Sequence, residues 1–317
     1  MILLWGLPGD RPLAAVGRAL QQLGCEVLLV DQRAVADTEV ELLVGAQVHG
    51  GVQIRGARID LAAVTAAYIR PYSSIQLPSI RRAGPASPGW QHAVAVDEAL
   101  WSWAELTHAL VINRPAAMAS NNSKPYQALT IRSLGFDIPD TLITTDPAAA
   151  REFWARHQTV IYKSISGVRS IVTRLGPDHE HRLENIRWCP TQFQQYVAGT
   201  DWRAHVVGDA IFACEVRSHA ADYRYAAREG ARVQLHAGTL PPDCADRCRR
   251  LAAAFGLTVA GVDLRCTPEG RWFCFEVNPS PGFTYYQTAT GQAIDQAIAA
   301  LLAGGRSSVL QADGDPD

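Results

Sequence analysis

Two carboxylates and one amide near the carboxyl end of the sequence are its strongest chemical signal. Asp263 lies in one strand-like run, and Glu276 and Asn278 lie in the next. Two carboxylates held close together repel each other unless a cation lies between them. Ligands that offer only oxygen atoms suit Mg²⁺, and nucleotide phosphates can fill its remaining positions. The pattern therefore predicts a magnesium site, and the alternative is a hairpin that carries polar residues on its solvent side.

A four-residue hairpin loop over 267–270 would bring these three side chains, the oxygen trio, onto one face of a sheet. Such a loop pairs Asp263 with Cys274, and paired residues project to the same side. Glu276 and Asn278 follow Cys274 at alternate positions, so they share that side. The neighbouring apolar side chains are expected to alternate to the opposite face: Val262, Phe273, Phe275 and Val277.

The chain contains only two lysines, Lys124 and Lys163, against 27 arginines. Lys124 opens a helix-like run, and Lys163 ends a strand-like run just before the small-residue segment 164–170. A compact ammonium at a strand end beside such a loop suits a nucleotide phosphate. A compositional bias of the genome towards arginine explains the scarcity of lysine equally well. Such a bias says nothing about where the two remaining lysines lie.

A run before the last third of the chain could receive the base and the sugar of a nucleotide. Gln195, Tyr196 and Val197, together called the hinge, end a strand where two blocks of the sequence meet. Exposed backbone at such a junction can hydrogen-bond an adenine edge. Asp201 begins the next strand, and we expect its carboxylate to hold a ribose hydroxyl.

Three arginines follow the hinge on the presumed active face: Arg203, Arg217 and Arg224. The turn signal Gly208-Asp209 predicts a two-residue hairpin, which pairs Arg203 with Cys214. Arg217 then falls on the opposite face. Only a bulge, or a strand that ends before Arg217, would bring both arginines together.

Composition narrows the class of protein. Hydrophobic residues make up 48% and charged residues 19% of the 317 residues, which is ordinary for a globular protein. The net charge of -2 gives no basic field for a nucleic acid. No apolar run approaches the roughly 20 residues that cross a bilayer, so we expect no membrane partner and a cytoplasmic protein. The seven cysteines include no Cys-x-x-Cys pair, which favours free thiols over a zinc site.

The length predicts two or three domains. We divide the chain into an N-terminal α/β domain over 1–113, a central block over 114–197 and a C-terminal block over 198–303. Residues 304–317 are small, polar and acidic, and we expect them to be a disordered tail.

The order of these features resembles the ATP-grasp ligases. The likeness is greatest to the graspetide (microviridin-type) peptide macrocyclases and to ligases of the ribosomal-protein glutamate ligase type, and it spans about 110–302. The phrases that carry it are Asn122-Ser123-Lys124, Leu134-Gly135-Phe136-Asp137-Ile138-Pro139-Asp140-Thr141-Leu142, Arg187-Trp188-Cys189-Pro190-Thr191-Gln192-Phe193-Gln194, and Val262-Asp263 with Glu276-Val277-Asn278-Pro279.

The resemblance implies an α/β (α+β) ATP-grasp fold with an N-terminal pre-ATP-grasp domain, in which the nucleotide lies between the central and C-terminal domains. It implies ATP and Mg²⁺ as cofactors. The residues that it places on the nucleotide are Lys124, Lys163, Gln195, Tyr196, Val197 and Asp201. Those that it places on the transferred phosphoryl group are Arg203 and Arg217, with Arg224 near the substrate, and the metal ligands are Asp263, Glu276 and Asn278.

Three functions remain open at this stage. The first is an ATP-dependent ligase that joins a carboxylate to an amine or hydroxyl in a ribosomally made precursor peptide, with segment 217–240 as a candidate leader-peptide contact. The second is a ligase that adds a free amino acid to a small molecule or a protein tail. The third is a non-catalytic nucleotide-binding module, against which the intact oxygen trio argues. A homodimer is compatible with the sequence, which does not fix the oligomeric state.

Overall fold

The computed structural model of the chain describes residues 1–45, 48–164, 173–218 and 232–304. Within these residues the backbone forms four β-sheets with α-helices packed against them, so the mixed α/β class expected from the sequence is confirmed. No helix in the described ranges is both long and apolar enough to cross a bilayer.

The elements are numbered along the chain. The strands are β1 (Ile2–Gly6), β2 (Val27–Asp31), β3 (Thr38–Val44), β4 (Val48–Ile54), β5 (Ala57–Asp60), β6 (Ala66–Arg70), β7 (Leu110–Ile112), β8 (Thr141–Thr144), β9 (Val160–Ser164), β10 (Thr173–Arg174), β11 (Thr191–Gln195), β12 (Thr200–Val207), β13 (Ala210–Ser218), β14 (Val233–Gly238), β15 (Val259–Cys266) and β16 (Trp272–Asn278). The α-helices are α1 (Arg11–Gln22), α2 (Pro78–Ala83), α3 (Pro88–Leu106), α4 (Pro115–Met118), α5 (Lys124–Ser133), α6 (Pro147–His157), α7 (Pro242–Ala254), α8 (Thr284–Thr290) and α9 (Ile294–Gly304).

The N-terminal block is built on a parallel sheet with the strand order β2-β1-β6-β7. Its central strand β1 is buried along its whole length, as expected for an apolar run covered on both faces. Helix α1 begins after Asp10, whose carboxylate accepts a hydrogen bond from the Leu13 N–H at 2.9 Å. Beyond it the chain turns at Gly24, where φ is +71° and glycine is favoured. A smaller antiparallel sheet, β3-β4-β5, completes this block.

The central block is an antiparallel sheet with the strand order β10-β9-β11-β8. One face packs on α6 and on the 3-10 helix Pro177–Trp188 through a cluster that includes Phe193. Gln192 and Gln194 flank Phe193 on β11, so they project from the other face. Polar side chains on this second face point towards a cleft rather than a core.

The C-terminal block is an antiparallel sheet with the strand order β14-β13-β12-β15-β16. Helix α7 covers one face through a core that contains Val262, Leu264, Cys274 and Val277. The predicted hairpin at Gly208-Asp209 is confirmed, because Val207 pairs with Ala210. The opposite face of β12, β15 and β16 carries the side chains that the sequence assigned to chemistry.

The β15–β16 hairpin pairs its strands in a register different from the predicted one, but the predicted side chains still share a face. Asp263 pairs with Glu276 rather than with Cys274, because the pairing shifts by one residue next to Asp263. This β-bulge leaves Phe275 without a partner on β15 and puts Cys274 in the core. The shared face of Asp263 and Glu276 is therefore confirmed.

The bulge also corrects the expected places of two aromatic side chains. Phe273 pairs with Arg265, which lies two residues from Asp263 and so on the same face as the oxygen trio. Phe275 lines an open cleft together with the two lysines. The prediction that both phenylalanines join Val262 in the apolar core is wrong.

Candidate active site

The oxygen trio lies on two adjacent strands, and a basic side chain already contacts each of its carboxylates. Arg203 Nη1 lies 2.5 Å from Asp263 Oδ1, and Lys124 Nζ lies 2.9 Å from Glu276 Oε2. The side chains of Asp263 and Glu276 keep 21% and 20% of their surface exposed, so a ligand can reach both carboxylates. Asn278 follows two residues after Glu276 and shares its face.

This donor set fits Mg²⁺. It offers two carboxylates and one amide oxygen, which are the hard oxygen ligands that a hydrated magnesium ion accepts beside phosphates. In the described part of the chain, no group of three or more His, Cys, Asp and Glu side chains is placed to hold a metal. The seven cysteines are all free thiols.

Arg203 is held in a nearly closed pocket. Its side chain is 6% exposed, and it lies 3.5 Å from the ring of His205, whose own ring is fully buried. Burial lowers the pKa of His205 well below its usual value, and the charge of Arg203 lowers it further, so the imidazole is neutral. Tyr286 of α8 closes the pocket, with its ring centroid 5.0 Å from that of His205.

Gly261 provides the space that the Arg203 guanidinium occupies. A Cβ atom added at Gly261 would lie 2.0 Å from Arg203 Nη2 and 2.8 Å from Pro281 Cβ. No side chain larger than a hydrogen atom fits there without moving the guanidinium. The sequence offered one signal, since residue 261 is two positions from Asp263 and therefore shares its face.

Arg217 does not join Arg203. Strand β13 continues without a bulge through Ser218, and Arg203 pairs with Cys214, so Arg217 projects from the opposite face. Its guanidinium is 62% exposed and bonds Glu215 at 2.7 Å. The bulge or early strand end needed to bring both arginines together is absent at this position, which corrects that expectation. Arg224 lies outside the described residues.

A cleft of about 390 Å³ is lined by residues of the central sheet, of α5 and of β16, and Lys124 in its wall contacts Glu276 of the oxygen trio. It brings Lys124 of α5 and Lys163 of β9 into one cavity, which agrees with the joint role proposed for them from the sequence. The residues that line the cleft are Lys124, Pro125, Ala128, Leu129, Ile138, Pro139, Asp140, Thr141, Ile143, Lys163, Gln192, Gln194, Cys274 and Phe275.

The hinge has fewer open backbone groups than the sequence suggested. The N–H groups of Gln195 and Tyr196 donate to backbone carbonyls of the central block, at 2.9 and 3.0 Å. The carbonyl oxygen of Val197 accepts from Arg265 Nη1 at 2.7 Å. These three groups have partners within the chain, and the role of the hinge in binding the adenine stays a prediction.

Arg265 is a site residue that the sequence reasoning missed. Its Nε donates to Asp201 Oδ1 at 2.7 Å, so the carboxylate proposed for the ribose is held by this arginine. The guanidinium also lies 5.2 Å from the ring centroid of Phe275 in the cleft. Arg265 thereby ties the hinge and Asp201 to the strand that carries Asp263. Its position two residues after Asp263 was the available signal.

Gln127 is a second residue that the sequence reasoning missed. It is 1% exposed, and its amide bonds Val277 twice: Nε2 donates to the carbonyl at 2.8 Å, and Oε1 accepts the N–H at 3.2 Å. Val277 lies between Glu276 and Asn278, so helix α5 fixes the backbone of these two proposed ligands. A polar residue one helical turn after Lys124 was the signal.

Loss of the Lys163 ammonium is expected to weaken the handling of a nucleotide. A charge-assisted hydrogen bond to phosphate contributes about 1.5–3 kcal/mol, so Lys163→Ala should raise the ATP KM or lower kcat roughly ten-fold or more. Steady-state rates of ADP release at varied ATP concentration measure this effect. Arg187→Ala, which removes a 60% exposed cation from the central block, serves as the control. An unchanged rate for Lys163→Ala would remove this lysine from the site.

Residues 119–302 match the RimK-like ATP-grasp domain family. Among curated proteins, the chain is 32% identical over 125 residues to a probable alpha-L-glutamate ligase of Alkalilimnicola ehrlichii. That alignment covers 37% of this chain and 38% of the relative, so the chain spans well under half of that protein's length.

Solved structures are similar over nearly the whole chain. The macrocyclase MdnC of Microcystis aeruginosa, bound with the precursor peptide MdnA, is 22% identical with a TM-score of 0.78, and the match covers 95% of this chain and 98% of MdnC. The ATP-grasp ligase PsnB, complexed with a minimal precursor, Mg and ADP, is 25% identical with a TM-score of 0.74, and the match covers 96% of this chain and 97% of PsnB.

Proposed function

Since the chain belongs to the RimK-like ATP-grasp family, we propose that it is an ATP-dependent carboxylate ligase whose substrate is a ribosomally made precursor peptide. Its product is an ester or amide bond between side chains of that peptide. The cofactors are ATP and Mg²⁺.

One observation carries the proposal. Two carboxylates face each other across β15 and β16, each is in contact with a buried or half-buried cation, and both stand beside a cleft that holds the two lysines. This arrangement concentrates opposite charges where a triphosphate and its metal would meet. It suits phosphoryl transfer, in which catalysis depends on positioning and on neutralising charge.

The chemistry is the activation of a carboxylate. A substrate carboxylate oxygen attacks the γ-phosphorus of ATP, the bond to the bridging oxygen of ADP breaks, and an acyl-phosphate forms. An amine or hydroxyl then attacks the acyl carbon, loses its proton and releases inorganic phosphate. Mg²⁺ bound to the oxygen trio would supply neutralisation of the phosphate charge.

The chain's own residues orient these groups. Lys124 and Lys163 would hold the phosphate oxygens of ATP from two sides of the cleft. Arg203, whose Nη1 donates to Asp263, is placed to steady the negative charge that develops on the transferred phosphoryl group. The short donor–acceptor distance keeps its guanidinium beside the metal face. Arg217, on the opposite face of β13, is not placed for the role that the resemblance gave it, and the role of Arg224 stays a prediction.

The choice of a peptide rests on similarity in the whole architecture. PsnB, which is similar over 96% of this chain, is complexed with a minimal precursor, Mg and ADP. The alignment with the named glutamate ligase covers only 37% of the chain. The proposed substrate therefore follows the relative that shares the N-terminal block as well as the catalytic blocks.

The test is to incubate the purified protein with ATP, Mg²⁺ and a short peptide, rich in Thr, Ser, Asp and Glu, encoded beside its gene. We expect ADP release that depends on the peptide, and a loss of one water from the peptide mass for each bond formed. A scrambled peptide of the same composition is the control. Absence of both ADP release and mass loss with the encoded peptide would contradict the proposal.

A second candidate is the addition of a free amino acid to a small molecule or a protein tail. The identity to a probable alpha-L-glutamate ligase favours it. In this case free amino acids, glutamate among them, would stimulate ADP release without any peptide, and the product would gain mass. The same assay therefore separates the two candidates by the sign of the mass change.

A further inference from the structure

The three residues that follow the metal ligand Asn278 are held by side chains from the N-terminal block. These residues, 279–281, are called the post-ligand loop. Asn113 Nδ2 donates to the carbonyl oxygen of Pro279 at 2.6 Å. Arg70 Nη1 donates to Ser280 Oγ at 2.8 Å and to the carbonyl oxygen of Pro281 at 3.2 Å. Each residue of the loop thus accepts a hydrogen bond from more than 160 positions earlier in the chain.

Both donors stand at the carboxyl edge of the parallel sheet. Arg70 is the last residue of β6, and Asn113 follows the last residue of β7. Adjacent parallel strands end at the same edge, so the sheet presents both side chains to one loop. Asn113 is 3% exposed, and its Oδ1 also accepts the N–H groups of Thr258 and Val259 at 2.9 and 3.1 Å.

Arg70 is itself fixed in place. Its Nε donates to Asp10 Oδ1 at 2.8 Å, and the two side chains are 11% and 7% exposed. Tyr68, one alternate position earlier on β6, lies against it and is buried. A guanidinium held on two sides in this way has little freedom, so its remaining donors point in fixed directions.

The hydrogen bonds continue from the post-ligand loop to the proposed metal ligand Asn278. The Ser280 N–H donates to Asn278 Oδ1 at 2.9 Å, so the residue that Arg70 holds also orients the amide of the ligand. Asp10, Arg70, Ser280 and Asn278 form a continuous hydrogen-bonded chain from helix α1 to the oxygen trio. Side chains that orient a metal ligand are part of how a site sets its affinity for the metal.

We propose that Arg70 is a positioning residue for the metal site, and that the N-terminal block acts through Arg70 and Ser280 to set the direction of the Asn278 amide. The proposal rests on the magnesium site of the proposed function and adds a role for a block that lies outside the matched family domain. Arg70 touches neither nucleotide nor substrate in this role.

The test measures metal-dependent binding instead of turnover. Isothermal titration gives the Kd of ADP in the presence of Mg²⁺ and in the presence of EDTA. The Kd in EDTA divided by the Kd in Mg²⁺ is called the metal-dependent gain in affinity. For Ser280→Ala and Arg70→Gln we expect this gain to fall roughly ten-fold, with the Kd in EDTA unchanged within error. Higher Mg²⁺ concentration should restore the binding of ADP to the wild-type level.

Arg114→Gln is a matched control. Arg114 is also a half-buried arginine, at the first position after the N-terminal block, and its guanidinium donates to four backbone carbonyls of that block between 2.7 and 3.2 Å, none of them in the post-ligand loop. Arg114 makes four of these hydrogen bonds and Arg70 makes three, so this variant reports the effect of lost stability. We expect its metal-dependent gain to match that of the wild type.

The outcomes are distinct. An unchanged gain in folded Ser280→Ala overturns the proposal, and this variant decides the matter even if Arg70→Gln does not fold, because it leaves Asp10 and Arg70 paired. An equal fall in Arg114→Gln also overturns it, since the effect would then follow stability. A wild-type protein that shows no metal-dependent gain would contradict the magnesium site itself and with it the proposed function.

Discussion

Asp263→Asn and Glu276→Gln are each expected to abolish magnesium-dependent ADP formation while the fold stays intact. Both substitutions keep the shape of the side chain and remove one negative charge from the metal face. Neutralisation of phosphate charge by a bound metal contributes several kcal/mol, so the rate should fall by about a thousand-fold. A coupled assay of ADP release, run beside thermal unfolding, measures both properties.

Glu269→Gln is the control for this pair. Glu269 belongs to the same β15–β16 hairpin, is exposed at its turn, and is removed from the metal face. We expect wild-type rates for this variant. Wild-type turnover in both Asp263→Asn and Glu276→Gln would refute the metal assignment, whereas a loss of activity together with a loss of the unfolding transition would mean only that the carboxylates hold the fold.

Gly261→Ala is expected to remove most of the activity by displacing a single guanidinium. The added Cβ would lie 2.0 Å from Arg203 Nη2, a separation that no pair of non-bonded atoms tolerates. Arg203 must therefore swing away from Asp263. Loss of one well-placed group that stabilises developing charge lowers kcat by about a hundred-fold, and we expect the Kd of ATP to change little. Overpacking should also lower stability by about 1–3 kcal/mol.

Gly282→Ala is the matched glycine. It lies just after the post-ligand loop, and a Cβ built there meets no heavy atom within 4 Å. The rate of this variant should equal that of the wild type. A double-mutant cycle with Arg203→Lys adds a second check, because Gly261→Ala should have little further effect once the guanidinium is gone. Full additivity of the two changes would show that Gly261 acts independently of Arg203.

Alternation along strands was enough to predict that the oxygen trio shares one face, but not the register that brings it together. The sequence placed Asp263, Glu276 and Asn278 together because carboxylates and amides recur there at alternate positions. It could not reveal the bulge at Phe275, since a bulge depends on how the hairpin packs on α7 and on the loop length between two strands. The family resemblance, by contrast, is confirmed by the domain match over residues 119–302.

The residues that were missed act through contacts between distant parts of the chain. Gln127 bonds the hairpin from 150 positions earlier, Arg70 bonds the post-ligand loop from 210 positions earlier, and no local pattern indicates such contacts. Arg265 was closer to being found, because its place two residues after Asp263 already fixed its face. One partner, Asp201, lies directly opposite Arg265 on β12. The other, Val197, could not be inferred, because it belongs to the hinge, which follows a strand of a different sheet.

The two lysines make the protein an unusual subject for labelling. Amine-directed reagents, such as acylating dyes, crosslinkers and biosensor coupling chemistry, normally modify a folded protein at many scattered points. Here every lysine of the chain lines one cavity, and arginine supplies the other strong cations. Immobilising this protein through its amines would therefore attach it at the amino terminus or block its own cleft, and a nucleotide bound as proposed would shield both lysines from acylation.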